Sequence, residues 1–380
     1  MKRKTLGLYV HIPFCRQKCF YCDFPSMSGQ EDLFEAYTRA LLAEIAGQSK
    51  NFSAYEVDTV FIGGGTPTIL PADQLLAICY AIAESFSFSE GYEWTCEANP
   101  GTTKDSLLVA LKDAGLNRIS FGVQSFSDPL LRTIGRIHSA QDATSSVIAA
   151  AKAGFTNLSI DLMTGLPGQK LIDLQTTLAK AVQLPLSHIS LYSLKIEEGT
   201  VFDCWQEQGR LALPDEAEEA KFDAFAPAFL AEKGFSRYEI SNYAKPSHAC
   251  RHNLKYWHYE PYLGLGAAAA SFFPGKRWSN ETDPKRYIAA IAKGESVIAY
   301  EETLDEATAK AEFAFLALRT MRGLDINEYE AIFHTSFFAD YGKVFETLAN
   351  QGLLNHRQTR IFLTDQGKLL GNVVFCAFLP

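Results

Sequence analysis

The sequence predicts an α/β fold built on a parallel sheet, and two observations support this prediction. Short runs of apolar and β-branched residues alternate along the chain with longer segments whose apolar residues recur at three- and four-residue spacing. Several of these helical segments end on a glycine, as at Gly47, Gly115 and Gly154. Because neighbouring parallel strands need a crossover helix, such alternation is typical of a parallel sheet.

The alternation divides the first half of the chain into six strand-helix units. Strands are predicted at Gly7–His11, Thr59–Ile62, Glu93–Glu97, Ile119–Val123, Leu158–Leu162 and His188–Leu194. Helices are predicted at Leu33–Ala46, Ala72–Phe86, Lys104–Ala114, Ala140–Ala153 and Leu171–Leu184. Six units are fewer than the eight of a closed barrel, so an open, partial barrel and a doubly wound sheet are both compatible with the pattern. In either architecture, functional residues gather at the carboxyl ends of the strands.

Composition and charge restrict the class of protein. The chain has 380 residues, 47% of them hydrophobic, which is enough to bury a sizeable core. No apolar run approaches the roughly 18 residues of a membrane span, and no signal peptide is recognisable. Three of the eight cysteines are clustered and the others are scattered, which favours a reducing, cytoplasmic location over a secreted disulfide framework. The net charge of -9 argues against general nucleic-acid binding.

Polar residues and glycines follow the predicted strands at their carboxyl ends. After the cysteines that follow the first strand, the residues at the next four strand ends are Gly64, Gly65, Thr66, Glu97, Gln124 and Asp161. Singly, a glycine turn is an ordinary tight connection and a strand-end aspartate is an ordinary helix cap. Because a parallel sheet brings these strand ends to one edge, their joint occurrence predicts a site there.

The cysteine triplet predicts a metal centre. Cys15, Cys19 and Cys22 lie within eight residues. Structural zinc usually takes four ligands in two separated pairs, and the chain has no second CxxC pair, so zinc would have to recruit a distant ligand. A disulfide would leave one thiol unpaired. A 4Fe-4S cluster held by three thiolates leaves one iron open to an exogenous ligand, which gives the missing fourth cysteine a functional reason.

The order of the motifs resembles a known superfamily. The CX3CX2C spacing, followed by Gly-Gly-Thr-Pro, resembles the radical S-adenosylmethionine (SAM) superfamily, in which the open iron chelates the amino and carboxylate groups of SAM. More narrowly, segments spread over residues 7–273 resemble the oxygen-independent coproporphyrinogen III oxidase family and its heme-chaperone branch. They are YVHIPFCRQKCFYCDF, FIGGGTPTIL, CEANPG, RISFGVQSF, IDLMTGLPGQ and YEISNYA. The resemblance implies a partial (βα)6 TIM-like radical SAM barrel.

The resemblance also implies roles for individual residues. The three cysteines would hold the cluster, Glu97 would accept hydrogen bonds from the SAM ribose, and Arg136 would lie near the methionine carboxylate. Gly64 and Gly65 would let backbone amides approach the amino end of SAM closely. The implied SAM contacts are Tyr9, Tyr21, Gly64, Gly65, Thr66, Glu97, Gln124, Arg136 and Asp161.

Two positions favour the heme-chaperone branch over the oxidases. Porphyrin-decarboxylating members carry a further cysteine two residues after the last cluster ligand, where this chain has Phe24. The segment HNLKYW, which begins at His252, matches the HNXXYW motif of the heme-chaperone branch, in which the histidine is associated with heme binding. A neutral imidazole is a good axial ligand to heme iron. The resemblance therefore implies a protein that binds heme at His252 and passes it to apo-hemoproteins, with radical oxidation of coproporphyrinogen III as the alternative.

One segment departs from the family pattern. Relatives commonly read close to GLGAGAHS after the motif tryptophan, whereas this chain has Ala268 and Ala270 in place of the glycine and the histidine. If that histidine helps to seat heme, this protein holds heme differently or less tightly. Whether SAM is cleaved, and so whether the protein is an enzyme, stays open, as do a homodimer and peripheral contact with a membrane.

The C-terminal part of the chain is expected to form a separate, winged-helix-like α+β domain. The expected parts are a barrel at residues 1–235, an extension with the HNXXYW motif at 236–300 and the C-terminal domain at 301–380. In the last part, helices at Lys310–Arg319 and Phe333–Gln351 precede a strand at Arg360–Leu363. Because no Lys/Arg-rich helix is present there, a docking or lid role is favoured over DNA binding.

Overall fold

The computed structural model describes residues 4–380, in which the strands form one large and one small sheet. The strands of the large sheet are β1 (Lys4–Ile12), β2 (Tyr55–Gly64), β3 (Phe88–Ala98), β4 (Arg118–Gln124), β5 (Asn157–Thr164), β6 (His188–Ser193), β7 (Ser236–Arg237), β8 (Asn242–Ala244), β9 (Tyr262–Leu265), β10 (Ala270–Phe273), β11 (Lys276–Asn280) and β12 (Ile298–Thr303). Their order across the sheet is β12-β11-β10-β9-β1-β2-β3-β4-β5-β6-β8-β7. The sheet therefore has β1 to β6 at its centre and shorter strands on both sides.

The central strands confirm the predicted α/β core. Each of β1 to β5 pairs in parallel with the strand that follows it. The helices that accompany the large sheet are α1 (Phe34–Asn51), α2 (Ala72–Ser85), α3 (Asp105–Asp113), α4 (Asp128–Thr133), α5 (Ala140–Lys152), α6 (Leu171–Ala181), α7 (Val201–Glu207), α8 (Glu216–Glu232), α9 (Arg251–Trp257) and α10 (Pro284–Lys293). The predicted helices correspond to α1, α2, α3, α5 and α6, whereas α4 and α7, with six and seven residues, are too short for an apolar periodicity. None of the helices in residues 4–380 is long and apolar enough to cross a membrane.

Side chains alternate between the two faces of each central strand, because successive residues of a strand point to opposite sides. In β4, Ile119, Phe121 and Val123 are fully buried in the main hydrophobic core. Arg118 and Ser120 of the same strand line a cavity together with residues of the other central strands. The sheet therefore curves around a central lumen, and the partial barrel, not the doubly wound sheet, is the architecture that forms.

Strands that the sequence does not predict extend the sheet on both edges. β9 pairs in parallel with β1, and β10, β11 and β12 follow in antiparallel order. On the other edge, β8 pairs antiparallel with β6, and β7 pairs with β8. β12 runs to Thr303, so the acidic residues Glu301 and Glu302 lie on an edge strand. Charged side chains on an exposed edge discourage pairing with another chain.

The C-terminal segment has its own sheet and hydrophobic cluster. Its elements are α11 (Glu306–Leu318), β13 (Leu324–Asp325), α12 (Ile326–Phe333), α13 (Phe337–Asn350), β14 (Leu354–Arg357), β15 (Arg360–Leu363), α14 (Asp365–Leu369) and α15 (Gly371–Cys376). Phe333 ends α12 instead of starting the next helix, because His334 adopts a left-handed conformation with a φ of 57°. The segment packs on α9, where the guanidinium of Arg319 lies 4.4 Å from the ring centre of Trp257.

Candidate functional site

The three cysteines lie on the loop that follows β1. Two backbone hydrogen bonds shape this loop, because the Cys15 amide donates to the Met27 carbonyl at 2.8 Å and the Cys22 amide donates to the Cys19 carbonyl at 3.2 Å. All three thiols are free and partly buried. The loop, named the cluster loop below, therefore presents three unbonded sulfur ligands at the carboxyl end of the barrel.

The chemistry of these donors fits an iron-sulfur cluster. Thr66 Oγ1 donates to Cys15 Sγ at 3.7 Å, and Arg136 Nη1 donates to Cys19 Sγ at 3.4 Å. Cysteine binds metal in its thiolate form, to which hydroxyl and guanidinium groups can donate hydrogen bonds. Within residues 4–380, no three His, Cys, Asp or Glu side chains gather closely enough around one metal ion. Each thiolate of a cluster binds a different iron, so sulfurs that do not converge on one point are compatible with it.

The glycines after β2 serve the packing of the cluster loop. Gly64 has a φ of 105°, and a Cβ at this position would lie 2.4 Å from the His11 ring. The amides of Gly65 and Thr66 donate to carbonyls at the end of β1 and in the cluster loop, at 2.8 and 2.7 Å. These two amides are therefore occupied, and the expected approach of backbone amides to SAM does not apply to them.

A cavity of about 920 Å³ fills the lumen next to the cluster loop. The residues implied by the sequence that line it are Tyr9, Tyr21, Cys22, Gly64, Glu97, Gln124, Asp161 and His252. A separate, much smaller crevice is lined by Cys19, Thr66 and Arg136. The structure thus gathers most of the implied SAM and heme residues around one cavity, but Thr66 and Arg136 line the crevice instead, and Gly65 lines neither.

Two buried carboxyl groups face the cavity below the cluster loop. Burial, followed by the nearby charge of Asp161, raises the pKa of Glu97 to about 8. The carboxylate of Glu97 accepts from the Gly64 amide at 3.2 Å, and Asp161 accepts from Ser120 Oγ at 3.3 Å. Burial also raises the pKa of Asp161. Without a ligand, Glu97 is therefore mostly protonated at pH 7, and it can donate one hydrogen bond as well as accept others.

Arg136 ties the cluster loop to the ends of β3 and β4. Its Nη2 donates to Asn99 Oδ1 at 2.6 Å and to the Gly122 carbonyl, while its Nη1 contacts Cys19. The Asn99 amide donates in turn to Thr66 Oγ1 at 2.8 Å. The sequence identifies Asn99 only as part of a strand end and gives it no role. The strand-end segment that follows Glu97 is the sequence signal that could have indicated this hydrogen-bonded link between Arg136 and Thr66.

His11 is a further site residue that the sequence does not single out. Its Nε2 lies 2.8 Å from the Pro25 carbonyl, and its Nδ1 lies 3.1 Å from the Tyr9 hydroxyl. A carbonyl can only accept, so Nε2 carries the proton, and burial lowers the pKa of His11 so that the ring is neutral. Nδ1 then accepts from Tyr9. His11 therefore fixes both the Tyr9 ring and the end of the cluster loop that carries Phe24.

The helix α9, which carries the HNXXYW motif, closes the floor of the lumen. His252 is 1% exposed, and its Nδ1 and Nε2 lie 2.9 Å from Thr59 Oγ1 and 2.8 Å from the Tyr256 hydroxyl. Burial, followed by the charge of Lys255, lowers the pKa of His252 to about 3, so the ring is neutral at pH 7. A neutral imidazole has one donor and one acceptor nitrogen, and both are therefore already bonded.

Six aromatic residues form one side of the cavity above this floor. This aromatic wall consists of Tyr256, Trp257, Tyr259, Tyr262, Phe272 and Phe315. The ring centres of Tyr256 and Tyr262 are 4.5 Å apart in an edge-to-face arrangement. Ala268 and Ala270 also line the cavity, and Ala268 has a φ of 61°, the left-handed conformation that favours glycine. The wall is suited to a flat, largely apolar ligand.

Comparison with known proteins finds two matching protein families and close similarity to named relatives. Residues 9–181 match the Radical SAM superfamily, and residues 304–370 match the HemN C-terminal domain. The chain is 39% identical to the heme chaperone HemW of Lactococcus lactis subsp. lactis, over 100% of this chain and 98% of that protein.

The chain belongs to the HemW family. It is also 39% identical to HemW of Bacillus subtilis over 98% of both chains, and 34% identical to HemW of Escherichia coli over 100% of this chain and 99% of that one. Among solved structures, the coproporphyrinogen III oxidase HemN of Escherichia coli, described as a radical SAM enzyme, aligns with a TM-score of 0.86. That alignment covers 99% of this chain and 90% of HemN at 24% identity, so it establishes the radical SAM fold alone.

Proposed function

We propose that this HemW-family protein is a heme chaperone that binds a 4Fe-4S cluster, SAM and heme, and delivers heme to apo-hemoproteins. The observation that carries the proposal is the shared cavity, which has Cys22, Glu97 and Asp161 at one end and the aromatic wall with His252 at the other. One chamber therefore offers a polar region beside the cluster loop and an aromatic region beside the floor. The names of the relatives support heme as the ligand of the second region.

The cluster and SAM would occupy the carboxyl end of the barrel. Cys15, Cys19 and Cys22 would hold the cluster, and with SAM it would supply one-electron chemistry when bound. Glu97 and Asp161 would take up hydrogen bonds from SAM hydroxyl and amino groups, because their carboxyl groups are buried and face the same cavity. The proposed contacts also include Tyr9, Tyr21, Gly64, Gly65, Thr66, Gln124 and Arg136. Arg136 would act mainly through Cys19, which it contacts directly.

Heme would lie against the aromatic wall with one face towards α9. For His252 to bind iron through Nε2, the hydroxyl of Tyr256 must turn away from it, since the two atoms are 2.8 Å apart. The loss of such a bond costs about 1 kcal/mol, which a bond to iron can offset. Ala270 in place of the histidine of relatives leaves the wall without a second imidazole there. Heme ligation by this chain is therefore expected to be weaker than in relatives that have both histidines.

Phe24 favours the heme-chaperone proposal over oxidation of coproporphyrinogen III. The side chain is 60% exposed and lines the mouth of the cavity, at the position where the oxidases place a cysteine. A phenylalanine cannot transfer protons or bind metal, so the oxidase chemistry loses a reactive group at this point. A cytoplasmic location is part of the proposal, because the partly buried, unpaired thiols require a reducing environment.

The proposal is tested on protein reconstituted anaerobically with iron and sulfide. Heme binding is measured from the Soret band, heme release from transfer to apomyoglobin, and oxidase activity from conversion of coproporphyrinogen III. We expect heme binding and transfer without conversion. Glu97→Ala should weaken SAM binding while the cluster absorption persists. Efficient conversion of coproporphyrinogen III, or no heme binding at all, would refute the proposal.

A further inference from the structure

Arg118 differs from the other buried charged residues of the lumen. Its side chain is at the start of β4, is 2% exposed and lines the central cavity. Nη1 reaches Thr95 Oγ1 only at 3.5 Å, and Nε has no hydrogen-bond partner. In the described part of the chain, the guanidinium forms no ion pair. A buried charge without a close partner is unfavourable, which points to a ligand that supplies one.

Glu93 and Asp161, the acidic residues whose charges act on Arg118, form no ion pair with it in the described part of the chain. Glu93 Oε1 accepts from the His252 amide at 3.2 Å and from the Cys250 thiol at 3.6 Å, so this carboxylate is directed to α9. Asp161 accepts from Ser120 Oγ at 3.3 Å. These carboxylates act on Arg118 from a distance, but none supplies the paired contact that a guanidinium fork can make.

The backbone of Arg118 lies at the end of β4 that is remote from the cluster loop, although its charge also reaches Glu97 and Asp161. Gln124 ends β4 at the cluster side, and the seven residues of the strand separate it from Arg118 by about 20 Å. Arg118 instead lies near the floor of the lumen, where its charge contributes to the low pKa of His252. It therefore borders the half of the cavity that contains the aromatic wall.

We infer that Arg118 forms a carboxylate-binding subsite for the ligand that occupies the aromatic half of the cavity. A guanidinium binds a carboxylate through two parallel hydrogen bonds, and in the described part of the chain Nη2 has no hydrogen-bond partner and is free to make one of them. This inference rests on the proposed function: with heme as the ligand, the carboxylate is a propionate. Arg118 then determines specificity, because it selects a tetrapyrrole with a free acid side chain and orients it relative to α9.

The test compares heme with heme dimethyl ester, in which both propionates are esterified. Binding of each is titrated to the wild type, to Arg118→Gln and to Arg118→Lys by the Soret band. Wild type should bind heme at least about tenfold more tightly than the diester, since a charge-assisted pair to a buried group has this order of effect. Arg118→Gln should bind both equally, at the level of the diester, and Arg118→Lys should fall between.

The matched control is Arg277→Gln. Arg277 lines the same cavity but is already paired with Glu302 at 2.7 Å and Glu312 at 2.6 Å, so its loss should leave the preference for heme unchanged. Equal affinities of the wild type for heme and diester would overturn the inference even if no Arg118 variant folds, while heme binding itself would stand. A full preference retained in Arg118→Gln would also overturn it. A wild type that binds neither compound refutes the proposed function instead.

Discussion

The two ends of the barrel lumen differ in how completely their polar groups are paired. At the carboxyl end, the free thiol of Cys22 and buried carboxyl groups face the cavity. At the floor, both ring nitrogens of His252 are bonded, and Lys255 pairs with Asp58 and Glu260 at 2.9 Å each. The carboxyl end is therefore built to receive ligands, and the floor is built mainly to close the barrel. Arg118 is the exception at the floor, and for that reason it is the informative residue there.

The largest expected effect is the loss of the cluster in Cys19→Ala. Removal of one of three thiolates leaves two, which do not retain a 4Fe-4S cluster, so the visible iron-sulfur absorption should disappear. Cys204→Ala is the control, because Cys204 is exposed and lies outside the cluster loop. We expect wild-type iron content in the control. Zinc at full occupancy, without iron absorption in the reconstituted wild type, would contradict this account of the carboxyl end.

A second prediction concerns the pH dependence of the apo-protein. The pKa of Glu97 rises from 4.5 to about 8 on folding. The folded state therefore holds a proton that the unfolded state releases, so this residue makes the free energy of unfolding fall as pH rises from about 4.5 to 8. The full effect is of the order of 5 kcal/mol.

Glu97→Gln should remove that pH dependence, as measured by urea unfolding between pH 5 and pH 8. The difference in the free energy of unfolding between the variant and wild type should grow in favour of the variant as pH rises. Glu84→Gln, at an exposed helix position, should follow the wild-type curve. Parallel curves for Glu97→Gln and wild type would show that Glu97 is not buried as described.

A third prediction tests the closure of the floor. His252→Ala removes a buried ring and two hydrogen bonds, so the free energy of unfolding should fall by about 2–4 kcal/mol even without heme. His356→Ala, on an exposed hairpin strand, should change it by less than about 0.5 kcal/mol. Urea unfolding of the apo-proteins distinguishes the two. A His252→Ala protein as stable as wild type would remove the structural role of this histidine.

The smallest expected effect concerns the hydrogen bond between the Tyr256 hydroxyl and His252 Nε2 at the floor of the lumen. Tyr256→Phe removes the hydroxyl bonded to His252 Nε2 and frees that nitrogen. If His252 is an axial ligand, heme affinity should rise by about fivefold, because ligation no longer has to break a hydrogen bond of about 1 kcal/mol. The Soret titration of this variant measures the change. An affinity and band shape identical to those of wild type would indicate that His252 keeps its internal bonds and does not bind iron.

Local patterns predicted most residues of the candidate site. They did not predict which of these residues line the cavity and which line the separate crevice. The sequence predicted the site directly from the cysteine spacing and from the strand-end residues Gly64, Glu97, Gln124 and Asp161. This was possible because a parallel sheet brings the carboxyl ends of its strands together. The sequence could not indicate that Arg136 lies in a separate crevice behind Cys19. That position depends on the conformation of the short loop between α4 and α5, which has no periodic pattern.

Local sequence is sufficient to predict the six strand-helix units, the cysteine triplet and the position of the HNXXYW motif. These features depend only on periodicity and on short fixed spacings. The extension of the sheet by β9 to β12 is visible only in the tertiary structure, because β9 pairs with β1, which lies far away in the chain. The tertiary structure also shows that both ring nitrogens of His252 are bonded while Arg118 Nε is not. Pairing depends on contacts between distant segments, such as Thr59 with His252, and no local pattern in the sequence encodes which buried polar groups meet.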